Sequence, residues 1–115
     1  MKQYLAAGRY KTIILIFDSP THVQRLPPHA PYYLGEAYRL RGEDADDRKA
    51  YDAYMQAVDA NPDFAPTSRA LGLWHMKHDN HAQALERLRH YLQLVPNAKD
   101  RHYIDQYIQQ LQKQT

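Results

Sequence analysis

The sequence predicts an all-α fold, a stack of antiparallel helical hairpins. Two observations carry that reading. Apolar residues recur at helical spacing along most of the chain, and the chain repeats itself every 34 to 37 residues, as stacked helical repeats do. Gly8 and Gly42 are 34 apart, and Ala50, Tyr54, Ala57 and Pro62 return 34 residues later as Ala84, Leu88, Tyr91 and Pro96. The pairs Leu34-Gly35 and Leu71-Gly72 are 37 apart, and Ile13 and Phe17 precede Ala50 and Tyr54 by the same interval. Three extra residues between Gly42 and Ala50 account for both intervals. The stretch from Asn61 to Gly72 is then the join between two copies of one unit.

Each element follows from local chemistry. Residues 1 to 7 end a helix at Gly8, where glycine permits a left-handed cap. Residues 9 to 18 form a short second helix. Ile13 to Phe17 has high β propensity, but the repeat register overrides it. Residues 19 to 28 make a proline-containing loop. A helix from His29 to Arg41 tolerates Pro28 and Pro31 at its start, buries Leu34, Ala37 and Tyr38, and stops at Gly42. Asp46 caps a helix over 47–60 with Ala50, Tyr51, Tyr54, Ala57 and Val58 on one face. Asp63 caps a helix over 64–77 that buries Ala70, Leu71 and Trp74. After a turn and cap at Asp79-Asn80, a helix over 81–95 carries Ala84, Leu85, Leu88, Tyr91, Leu92 and Val95. Asn97 caps a last helix over 98–113, with Tyr103, Ile104, Tyr107, Ile108 and Leu111 on one face.

At 115 residues the chain fits one domain by size. Fifteen basic residues against thirteen acidic leave a net charge of +2, too even for a nucleic-acid interface. No cysteine is present, which excludes disulfides and thiolate chemistry. The longest apolar run, Ile13 to Phe17, is far short of a membrane span. The residues after Met1 lack the apolar core and cleavage site of a signal peptide.

These residues resemble the tetratricopeptide repeat. That family carries a Leu-Gly pair and an aromatic in the first helix, then small, bulky and small residues and a proline through the second. The middle repeat has Leu34, Gly35, Tyr38, Ala50, Tyr54, Ala57 and Pro62, and lacks only the early tryptophan. The last has Leu71, Gly72, Ala84, Leu88 and Pro96. It departs at His75, where an aromatic is usual, and at Tyr91, where a small residue is usual. The resemblance covers about residues 1 to 113. It implies a right-handed α-α superhelix: a partial first repeat (1–27), a second with the loop insertion (28–64), a third (65–97) and a C-terminal capping helix (98–113). The first repeat's register implies about seven helical residues ahead of Met1, and Pro20 stands where a small helical residue is expected.

Some spellings are similar to the repeat-containing tails of bacterial zinc metallopeptidases of the envelope: Tyr33 to Gly42, Asp59 to Pro66 and Ala98 to Ile104. That narrower resemblance implies a periplasmic setting; without it a cytoplasmic one is expected. It brings no catalytic residue, because the chain has no His-Glu-x-x-His.

The repeat register places Tyr32, Glu36 and Arg39 of the middle repeat, and Arg69, Leu73, Met76 and Lys77 of the last, on a concave groove. This amphipathic mixture suits an extended peptide or a partner helix. Glu36 and Leu73 stand where carboxylate clamps of the family use asparagine, which argues against binding of chaperone tails. Leu15 and Ile16 point away from the second repeat and form a hydrophobic interface for a further part of a larger parent chain or for self-association. His75, His78 and His81 share a spacing whose first two members could hold zinc on a helix. The break at Asp79-Asn80 and the packing position of His75 speak against a metal site. Glu43, Asp44, Asp46 and Asp47 read as a solvated loop without calcium-ligand spacing. No phosphate-binding loop or catalytic constellation is present, and no cofactor is expected. The expected function is therefore a non-enzymatic protein-interaction module. The alternative is a structural accessory domain of an envelope metalloprotease, packing on or gating its catalytic domain.

Overall fold

The structure is a computed structural model and describes residues 1–18, 26 and 28–114. Most of the expected loop over 19–28, including Pro20, lies outside the described residues. Among the described residues there are seven helices and no strand: α1 (Lys2–Ala6), α2 (Tyr10–Asp18), α3 (Ala30–Arg41), α4 (Asp46–Ala60), α5 (Ala65–Lys77), α6 (His81–Leu94) and α7 (Arg101–Lys113). The chain divides into two compact units, Met1–Asn61 and Pro62–Thr115. The division falls at the proline that the repeat pattern marks as the join.

In the first unit, Gly8 (φ 73°) ends α1 in a Schellman motif. Arg9 N–H donates to Tyr4 O at 2.8 Å and Gly8 N–H to Leu5 O at 3.0 Å. The β-branched run of α2 is helical because its apolar side chains meet α3. Ile13 and Ile14 are buried with Ala37, and Leu5, Tyr10, Phe17, Leu34 and Tyr38 pack around them. Gly42 (φ 65°) ends α3 as expected. Contacts between α3 and α4 run outward from the loop, Arg41 with Asp46 and then Gly35 with Tyr54, so the two form an antiparallel hairpin. Gly35 and the small buried residues Ala50, Ala53 and Ala57 let them approach.

The second unit repeats this construction. Pro66 occupies the first turn of α5, where a missing N–H is harmless. Leu71, Ala84 and Leu88 are fully buried. Helix α7 closes the unit: Ile104 and Leu111 join Leu85, Leu88 and Tyr91 in one core, against which Leu73, Met76, Leu92, Val95, Tyr107 and Ile108 pack.

Five local expectations need correction. Asp46 is not the N-cap of α4; Ala45 holds that place at φ 66° and Asp46 is the first helical residue. Nor is Asp46 solvated, being 0% exposed. Phe64 rather than Asp63 precedes α5, and Asp100 rather than Asn97 precedes α7. Tyr103 is 61% exposed. The buried stripe of α7 centres on Ile104 and continues three, four and seven residues on, which leaves Tyr103 beyond its edge.

Candidate functional site

On α3, one turn separates Tyr32 from Glu36, and Arg39 follows three residues later, so all three share a face. The structure joins them into one polar group. Glu36 is 9% exposed, and a buried carboxylate needs partners. Its Oε2 accepts from Arg39 Nε at 3.0 Å and Nη2 at 2.5 Å, and its Oε1 accepts from Tyr54 Oη at 3.2 Å. Tyr54 comes from α4 and its ring lies 6.2 Å from that of Tyr32. Burial first, and the Glu36 carboxylate second, push both the Tyr32 and Tyr54 phenols above their ordinary range. Both therefore stay protonated at neutral pH. The Arg39 side chain remains 56% exposed.

On α5, the equivalent residues divide between two roles. Arg69 Nε donates to Asp100 Oδ2 at 2.5 Å, and Tyr91 Oη donates to Asp100 Oδ1 at 2.7 Å. Helices α5 and α6 thus both hold the start of α7 by one carboxylate. Burial, then the Asp100 carboxylate, push the Tyr91 phenol up to about 12. Burial acts upward on Asp100, but the bonds from Tyr91 and Arg69 hold its carboxyl below the usual range. Leu73 and Met76 are half-buried against the core that includes α7. Lys77 is exposed.

The hydrophobic face on α2 is partly as expected: Leu15 is 56% exposed, whereas Ile16 is half-buried. Among the described residues no three His, Cys, Asp or Glu side chains are grouped to hold a metal ion. His75 bonds Asn80, and His78 stacks on Trp74 with ring centres 3.8 Å apart. No described helix is long and apolar enough to cross a membrane. Open concavities also lie on α6, about 520 Å³ beside Leu85, Glu86 and Arg89, and on α7, about 330 Å³ beside Tyr107 and Lys113.

Sequence reasoning missed Tyr54, Tyr91 and Asp100 as polar partners. The signal for Tyr91 was its departure from a small residue: the large ring reaches Asp100 nine residues on. Comparison with protein-family models and with curated proteins finds no match for this chain.

Proposed function

We propose that this chain is a tetratricopeptide-type interaction module, non-enzymatic by itself, in which α3 of the first unit and α5 of the second each offer contacts to a peptide or partner helix. One observation carries the reading: the same close helix crossing is built twice. A Cβ on Gly35 would stand 2.5 Å from the Tyr54 ring, and one on Gly72 would stand 2.5 Å from Leu88 Cδ2. The crossing puts α3 and α5 in equivalent register, so Tyr32, Glu36 and Arg39 correspond to Arg69, Leu73 and Met76. Aromatic, charged and aliphatic groups at these positions suit recognition of an amphipathic segment.

The test is a random peptide library screened against the full chain, followed by titration of the best binder into Arg39→Glu and Lys77→Glu variants. Arg69 secures Asp100 and Arg39 bonds the buried Glu36, so Lys77→Glu is the cleaner variant and Arg39→Glu is read only with its unfolding temperature unchanged. Weakening of about tenfold or more in either variant is expected, equivalent to about 1.4 kcal/mol. Unchanged affinity in both would remove these faces from the binding surface.

The exposed Leu15 favours a second reading. An apolar side chain on α2 next to Ile16 gives a contact for a further domain, as in an accessory domain that packs on or gates a protease. Under that reading Leu15→Asp weakens the docking and leaves peptide affinity unchanged.

A further inference from the structure

Helix α5 ends in a Schellman motif made without glycine. Asp79 takes the left-handed position at φ 59°. Asn80 N–H donates to His75 O at 2.9 Å, and Asp79 N–H donates to Met76 O at 3.2 Å. The residues that close the outer bond are joined a second time through their side chains, with Asn80 Nδ2 3.1 Å from His75 Nδ1. His75 is 7% exposed. Backbone and side chain together tie the last turn of α5 to the residue that starts α6.

This second tie depends on the charge of the ring. A neutral imidazole accepts at Nδ1 from the Asn80 amide. A protonated imidazole carries hydrogen on both nitrogens, so donor faces donor. Rotation of the amide could restore a bond, but the positive charge would stay buried. The charged and titratable groups acting on the ring are His78 on α5 and Arg87 and Glu86 on α6. Arg87 and His78 oppose the imidazolium, while Glu86 acts the other way more weakly. Burial is the largest effect, and together these hold the His75 imidazole below its ordinary value.

We propose that the His75–Asn80 clasp is an acid-weakened latch on the α5–α6 hairpin, at full strength while the ring is neutral and weakened when a buried charge is placed on it. The latch is independent of what the helix faces bind. The unfolded chain takes up the proton more readily than the folded one. The latch's contribution is therefore complete above the ordinary imidazole pKa of about 6.5 and is lost as pH falls below it. Trp74 is the only tryptophan and lies 5.3 Å from the His75 ring, edge to face, so its fluorescence reports on the same turn.

The test is a proton NMR titration of the histidines, with thermal unfolding at pH 7 and pH 5.5, on the full chain and on Asn80→Asp and His75→Phe. His75 in the wild type should titrate below about 6.5, and its unfolding temperature should fall between the two pH values. Asn80→Asp sets a carboxylate against Nδ1, so His75 should titrate at higher pH and the fall should shrink. His75→Phe should also shrink it. A wild-type His75 midpoint at or above the ordinary value would overturn the latch. So would an unmoved midpoint in Asn80→Asp, or an undiminished fall in His75→Phe.

Discussion

Gly72 lies against Leu88 with no room for a side chain: an added Cβ would stand 2.5 Å from Leu88 Cδ2 and 3.3 Å from the Leu88 backbone nitrogen. Leu88 is fully buried, so its side chain cannot swing into solvent. Overpacking of this kind costs about 1–3 kcal/mol, and the helix propensity of alanine returns up to about 1 kcal/mol. Gly72→Ala should therefore destabilise by roughly 1–2 kcal/mol, read as a lower urea midpoint at unchanged slope. Gly35→Ala should behave alike, because Tyr54 is 1% exposed and its ring meets the new methyl.

The buried Asp46 should be the most sensitive residue in the α3–α4 loop. Arg41 holds both its oxygens at 2.8 Å, and Glu43 N–H donates to Oδ2 at 3.0 Å. Asp46→Ala removes these bonds and should cost on the order of 2 kcal/mol, measured by denaturant unfolding. The Arg41 guanidinium keeps the Asp46 carboxyl below its ordinary range. Its contribution is thus present above the unfolded carboxylate pKa of about 3.9 and is lost as pH falls through the folded value. Asp46→Asn should flatten the acid limb of the stability curve below pH 4 (about the unfolded carboxylate value).

Tyr91→Phe removes one hydroxyl that donates to Asp100 at 2.7 Å. The expected loss is about 1 kcal/mol. In an Asp100→Asn background the same change should cost less, since the charge that strengthens the bond is gone. A double-mutant cycle on the two residues should give a coupling of at least about 0.5 kcal/mol.

Ala45 takes a left-handed conformation at φ 66°, which costs a residue with a Cβ about 1 kcal/mol. Ala45→Gly relieves this and also frees the unfolded chain, which offsets part of the gain. A net stabilisation of a few tenths to about 1 kcal/mol is expected, visible as a higher unfolding temperature.

Features set by local pattern were legible in the sequence. The hairpin partners, the glycine crossings and the stops at Gly8 and Gly42 follow from periodicity and backbone freedom, and the α2 helix followed from register against its own β propensity. Features set by reach across helices were not. Asp46 has the spacing of a cap, but its carboxylate turns back to Arg41 and Glu43. His75 and Tyr91 registered only as departures from a pattern. Their partners, Asn80 and Asp100, show why large polar residues stand there. On α3, spacing puts Tyr32, Glu36 and Arg39 on one side of the helix, but the contribution of Tyr54 from α4 needed coordinates.

The most direct test of a binding role is backbone amide NMR of the chain with the library-selected peptide. Shift changes are expected at Tyr32, Glu36 and Arg39 on α3 and at Leu73, Met76 and Lys77 on α5. Changes confined to α6 around Glu86 and Arg89, with α3 and α5 unperturbed, would rule out binding through α3 and α5.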